Sequence, residues 1–203
     1  MSKVVVFTNL TLDGVMQAPG RPDEDRRGGF EHGGWAIPYA TMEAAEESKA
    51  YSGALLLGRR TYEDFYSVWP NRTDNPFTEV LNNTQKYVAS TTLEEPLPWS
   101  NSTLLKGDAA EAVARLKEEP DKDLVVLGSG QLIQSLMRRN LVDEYVLLIH
   151  PLVLGSGRRL FTDGSAFAAL RLVGTKTTST GVVIATYQLA EPTARKTTSA
   201  VTH

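Results

Sequence analysis

The chain has no cysteine, which removes disulfides and thiolate metal centres from consideration. It has only three histidines, His32, His150 and His203, too far apart for the spacing of a zinc site, so no metal is expected. No apolar run approaches the length of a membrane span, and Val4-Val5-Val6-Phe7 reads as a first core strand rather than part of a leader. Strong charge of one sign is also missing. The balance of 21 Lys and Arg against 24 Asp and Glu leaves a net charge of -3, with no electrostatic footprint for nucleic acid or an anionic membrane. With these absences, a cytoplasmic location is the default expectation. At 203 residues the chain suits one domain, expected over 1–190. The polar stretch 191–203 has no apolar periodicity and is expected to be a disordered tail.

What is present alternates. Apolar runs at Lys3–Leu10, Ala54–Leu57, Lys86–Ala89, Thr103–Leu105, Asp123–Leu127 and Glu144–Ile149 read as strands, most of them buried on both faces. Amphipathic segments lie between them: from Thr41, an N-cap, to about Tyr51, then Thr61–Val68, Asp108–Glu119 and Gln131–Arg139. Asn71–Asn83 reads as polar and turn-rich, and Gln17–Gly34 as a long functional loop tucked back by Trp35, Ile37 and Tyr39. Leu170–Thr178 and Val182–Leu189 form a hairpin across Ser179-Thr180-Gly181. The expected class is α/β, a mostly parallel sheet with an antiparallel edge.

Two strand ends run through glycine straight into a helix: Leu57-Gly58-Arg59-Arg60-Thr61 and Leu127-Gly128-Ser129-Gly130. Such turns offer backbone amides, and here also guanidinium groups and hydroxyls, chemistry suited to phosphate. Taken singly, either turn could be a strand break with a solvated edge. A third strand ends in Ser90-Thr91, and three junctions of complementary chemistry fit a pyrophosphate-bridged dinucleotide. The Rossmann fingerprint does not fit, because its third glycine would fall on Ile133.

These stretches resemble the dihydrofolate reductase superfamily. Leu55-Leu56-Leu57-Gly58-Arg59-Arg60-Thr61-Tyr62-Glu63-Asp64-Phe65 is similar to its cofactor motif, and Val126-Leu127-Gly128-Ser129-Gly130 to its second glycine turn. Thr11-Leu12-Asp13-Gly14 and Pro151-Leu152-Val153-Leu154-Gly155-Ser156-Gly157-Arg158-Arg159-Leu160-Phe161 resemble the riboflavin-biosynthesis reductase branch, the RibD C-terminal domain. The resemblance implies a three-layer fold, with helices on both faces of an eight-stranded mixed sheet, and a homodimer. It implies NADPH as cofactor, with Gly58, Arg59, Arg60 and Thr61 at the phosphates and Arg59, Ser90 and Thr91 on the 2′-phosphate. Leu127, Gly128, Ser129, Gly130, Gln131 and Leu132 would wrap the pyrophosphate and nicotinamide, and Met16 would pack on the cofactor. Phe7, Asn9, Trp35, Phe65, Glu43 and Leu127 would wall a substrate pocket for a pterin-like or ribosylamino-pyrimidine-like ring.

One departure stands out. The helix carboxylate that supports protonation in dihydrofolate reductases falls on Met42, with Glu43 adjacent. Glu43 and Asp13 are the carboxylates left as catalytic candidates, although Asp13 also reads as a turn former and Glu43 as a helix-dipole partner. His150 reads as structural or interfacial. A non-catalytic protein that binds or senses NADP(H) on the same fold is the alternative reading.

Overall fold

Runs of valine, leucine and isoleucine lose water on both faces only inside a sheet flanked by helices, and this chain supplies such runs repeatedly. The computed structural model describes residues 1–50, 53–75, 77–119 and 122–190. In it β1 (Val4–Thr11) is central, pairing in parallel with β5 (Leu124–Leu127) and with β6 (Glu144–His150). Beyond β5 come β2 (Ala54–Gly58), β3 (Lys86–Ala89) and β4 (Ser102–Leu105), all parallel. Beyond β6 the last strand, β8 (Val183–Leu189), runs antiparallel and carries β7 (Leu170–Thr177) at the edge. The order of the eight strands is β4-β3-β2-β5-β1-β6-β8-β7, the mixed sheet and terminal hairpin expected from the sequence.

The two-residue repeat of β1 shows how the layers form. Val4 and Val6 pack with Val113 of α4 (Ala109–Glu118) and Ile133 and Leu136 of α5 (Gly130–Arg138). Val5 and Phe7 point the other way, into a core shared with Tyr62 of α2 (Arg59–Val68) and Leu81 of α3 (Phe77–Asn83). Ala44 of α1 (Met42–Ala50) packs on that second core. Burying valines on both faces at about 25 cal/mol per Å² of apolar area is what makes this strand the spine.

Two expectations change. Asn71–Asn83 is not all turn, because Phe77–Asn83 forms α3. Phe77 and Leu81, one helical turn apart, dock on the core, and the Asn75 side chain accepts from the Phe77 amide at 2.9 Å. At the other end Lys86 is wholly buried and donates to the carbonyls of Leu81 (2.7 Å) and Thr84 (2.6 Å) with its ammonium 4.6 Å from the Trp99 ring centroid. A seven-residue helix has little stability of its own, so these tertiary partners form it, and local pattern could not show them. The first helix, expected to reach Tyr51, is described to Ala50, and both Tyr51 and the expected tail 191–203 lie outside the described residues.

Candidate functional site

Parallel strands deliver their carboxyl ends to one edge of the sheet. The sheet order sets the ends of β3, β2, β5 and β1 side by side there, three strand spacings or about 14 Å in all. Along that edge follow Ser90-Thr91, Gly58–Thr61, Gly128–Leu132 and, after the β1 turn, Met16. The edge opens into a cleft of about 2050 Å³ lined by all of these residues. Strands 2 to 4 leave β1 on one side and strands 6 to 8 on the other, and such a reversal is where open α/β sheets hold ligands.

The two glycine turns are fastened to each other. The Gly58 amide donates to Ser129 Oγ at 2.9 Å, and Ser129 Oγ donates to Thr61 Oγ1 at 3.0 Å. One hydroxyl therefore ties the start of α2 to the start of α5. Neither helix has a side-chain cap bond, so the first-turn amides of both remain free to bind an anion. Gly128 sits at φ +56°, and a Cβ there would come within 3.3 Å of Thr61 Oγ1. At Gly130 a Cβ would stand 3.1 Å from Met16 Sδ, so glycine permits the thioether to lie against the turn. Arg59 is half-exposed beside the turn and pairs with Glu63 at 2.9 Å, an exposed bond that is cheap to exchange. Ser90 Oγ accepts from the Thr92 and Leu93 amides at 3.1 and 3.0 Å, which shapes the end of β3 and leaves Thr91 exposed on the cleft. These groups fit a doubly phosphorylated, extended ligand.

The 17–34 loop has a small core of its own, Ala18, Phe30 and Trp35 around Val15. Gln17 organises it from a buried position. Its amide nitrogen donates to the carbonyls of Asp25 (3.1 Å) and Arg27 (3.0 Å), its side-chain oxygen accepts from the Arg158 amide (3.0 Å), and its carbonyl accepts from the Trp35 indole (2.7 Å). Arg21 joins the loop to α2 by a bidentate pair with Asp64, at 2.5 and 3.2 Å. The sequence marked this loop through its composition, but nothing in it singled out Gln17.

Of the residues expected at the substrate, Phe7, Asn9 and Phe65 line the cleft and Trp35 does not. Trp35 is buried behind the wall, edge-on to His150 at 5.1 Å between ring centroids. His150 does line the cleft, a position its reading as a structural or interfacial residue missed. Only its pairing with Asn9 across β1 and β6 exposes it, since the Nε2 to Oδ1 distance is 2.9 Å.

Neither catalytic carboxylate expected from the sequence faces the cleft. Glu43 is exposed at the start of α1, where its own backbone amide, the Thr41 hydroxyl and then Ser179 hold its carboxyl below the usual range. Met42, the position of the family's helix acid, is exposed as well. Asp13 is engaged elsewhere, accepting from the Thr11 hydroxyl (2.6 Å) and the amides of Leu154 (3.2 Å) and Gly155 (2.9 Å). The Thr11 hydroxyl first, and the two amides after it, pull its pKa down to about 2. Glu24 differs from both. It lines the cleft and burial pushes its carboxyl up, against the opposing pull of the Gly20 and Arg21 amides. Both amides donate to Oε2, at 2.6 and 3.1 Å, and among the described residues none donates to Oε1. A cleft carboxyl that keeps its proton more readily than an exposed glutamate is suited to general acid work.

Comparison with known proteins adds four findings. A family model described as RibD C-terminal domain matches residues 2–184. The chain is 34% identical over 138 residues to the uncharacterized protein YyaP of Bacillus subtilis (strain 168), covering 66% of this chain and 72% of that one. Among solved structures, a pyrimidine reductase-like protein from Corynebacterium diphtheriae superposes with a TM-score of 0.64 at 12% identity, over 94% of this chain and 92% of that one. Dihydrofolate reductase from Enterococcus faecalis, solved with NADP(H), gives 0.57 at 14% identity over 93% and 97%. The two superpositions establish a shared fold, and among the described residues no helix is long and apolar enough to cross a membrane.

Proposed function

The chain belongs to the RibD C-terminal domain family, and on that premise we propose that it is an NADPH-dependent reductase of a small heteroaromatic substrate, pterin-like or ribosylamino-pyrimidine-like. Family membership supports a reductase-type function, and the cofactor and substrate are inferred from the cleft. The observation that carries the reading is the Gly58–Ser129–Thr61 clasp, which brings two uncapped helix starts together at one sheet edge.

When bound, the dinucleotide supplies the hydride. The protein's part is to hold and orient. First-turn amides of α2 and α5 take the pyrophosphate, Thr91 and the Ser90 turn flank the adenosine end, and Arg59 exchanges Glu63 for a 2′-phosphate. Met16, lodged against Gly130, gives the nicotinamide an apolar face. Reduction of a C=N or C=O bond also needs a proton, and Glu24 is the cleft carboxyl best suited to give it.

Fluorescence titration and NADPH oxidation test this together. NADPH should bind at least about tenfold tighter than NADH, and Arg59→Ala should remove most of that preference, since a charge-assisted bond is worth about 1.5–3 kcal/mol. Equal affinity for the two nucleotides would refute the 2′-phosphate assignment. Oxidation of NADPH on adding dihydrofolate or the ribosylamino-pyrimidine would establish turnover. Tight binding without turnover on either would favour a protein that senses NADP(H), a reading supported by the exposed Met42 at the usual acid position.

A further inference from the structure

Beside the end of β6, a buried histidine meets a cleft asparagine. His150 is 3% exposed, packed edge-on between the rings of Trp35 (5.1 Å) and Tyr39 (5.4 Å). Its Nε2 lies 2.9 Å from Asn9 Oδ1, and its buried Nδ1 has no hydrogen-bond partner among the described residues. Which nitrogen carries the proton follows from that asymmetry. A proton on Nδ1 would be a buried donor with nothing to receive it, a cost of about 1–3 kcal/mol, while a bare lone pair there is better tolerated. Burial disfavours the imidazolium and lowers the pKa to about 4, so the ring is neutral at physiological pH. The neutral ring therefore donates from Nε2, and Asn9 must turn its oxygen toward it. Two donors cannot face each other, so the asparagine amide cannot flip without losing the bond.

The consequence lies on the other side of Asn9. This residue is half-buried and lines the cleft on the same face of β1 as Phe7. Among the described residues no group accepts from its Nδ2. We propose that His150 is a positioning residue that locks the Asn9 carboxamide with its NH₂ group presented to the cleft, so that the exocyclic substituent facing this point is selected to be a carbonyl oxygen rather than an amine. The selection rests on the heteroaromatic-substrate reading given above, whereas the orientation of Asn9 does not. Discrimination of this kind comes from the penalty of two opposed donors in a desolvated site, which no rotation of the locked amide can relieve.

Two measurements on the full chain test it. Nitrogen-15 spectra of the histidine rings in the free protein at pH 7 should show His150 as the Nε2–H tautomer, and an Nδ1–H or imidazolium form would overturn the proposal. With NADP⁺ present, pteridine-2,4-dione should bind about tenfold tighter than pteridine-2,4-diamine, the size expected for one satisfied against one frustrated hydrogen bond. Asn9→Asp, an acceptor of the same shape, should invert that order. His150→Leu should abolish the preference while leaving NADP⁺ affinity unchanged, and His150→Gln, whose carboxamide can either donate to or accept from Asn9, should restore it only in part. Binding of neither pteridine, or a preference unmoved by H150L, overturns the selection. Failure to bind NADP⁺ would count against the cofactor reading alone, because the tautomer is read without any ligand.

Discussion

Replacing Asp13 by asparagine separates a structural carboxylate from a catalytic one. Asp13 Oδ1 accepts from Thr11 Oγ1 and the Leu154 amide, and Oδ2 accepts from the Gly155 amide and from Arg159 at 3.3 Å. Thr11 Oγ1 in turn accepts from the Val15 amide at 2.9 Å, and Arg159 also donates to the Asp13 carbonyl at 2.7 Å. The carboxylate thus clasps the turn after β1 to the 154–159 segment and sets where Met16 meets Gly130. An asparagine amide can replace only one of the two oxygens, and its NH₂ would then face a donor. Lowering the pKa from 3.8 to about 2 corresponds to about 2.4 kcal/mol of stability. The sign follows from proton counting. The unfolded carboxyl takes up its proton near pH 4 and the folded one near pH 2, so the contribution is complete above pH 4 and is lost as pH falls toward 2. About half of it is gone at pH 3. Urea unfolding midpoints of wild type and Asp13→Asn from pH 7 to pH 3 should therefore differ by about 2–3 kcal/mol at neutrality and converge in acid. A difference constant across that range, or none at pH 7, would refute the reasoning. A group with so low a pKa is protonated in only roughly one molecule in 10⁵ at pH 7, which is too few for a general acid.

The other expectations are as direct. Gly128→Ala places a Cβ within 3.3 Å of Thr61 Oγ1 at a backbone φ of +56°, so it should cost about 1–2 kcal/mol in thermal unfolding and weaken NADPH in titration. Unchanged affinity would mean that the turn does not hold the cofactor. Lys86→Met should destabilise the fold by about 2–4 kcal/mol in urea, because it strips the Leu81 and Thr84 carbonyls of their donor and releases the end of α3. If the variant unfolds at the wild-type midpoint, α3 does not depend on that cation. His150, with its pKa lowered from 6.5 to about 4, must be neutral in the folded state. Relative to His150→Leu, the wild type should lose about 3 kcal/mol of stability as pH falls from 6.5 to 4. Parallel stability curves for the two proteins over that window would contradict a buried neutral ring.

Much of this molecule is legible in one dimension, for reasons of local physics. Val4–Phe7, Ala54–Leu57 and Leu124–Leu127 are apolar without alternation, which only a sheet covered on both faces satisfies. Asp108 announces α4 because an N-cap needs a short acceptor at that one position, and it accepts there from the Ala110 and Glu111 amides. The junctions after β2 and β5 were visible because an apolar run stops at glycine and polar residues follow at once, and at Gly128 the positive φ of 56° favours glycine. The sequence by itself thus determined the class of fold, the succession of its strands and a set of groups suited to phosphate.

Tertiary structure decided what those groups do together. Ser129 and Thr61 are 68 positions apart, and no local rule says that one hydroxyl will tie two helix starts. Asp13 and Glu43 share the chemistry of a proton donor, yet neither lines the cleft: Asp13 is held by the Thr11 hydroxyl and the distant Leu154 and Gly155 amides, Glu43 by its own amide, Thr41 and then Ser179. Glu24 and His150 came into view only once burial was known, because desolvation belongs to the whole packed environment and not to the neighbours in sequence. Residue type sets which proton a side chain can carry; the fold sets whether it carries it, and toward what.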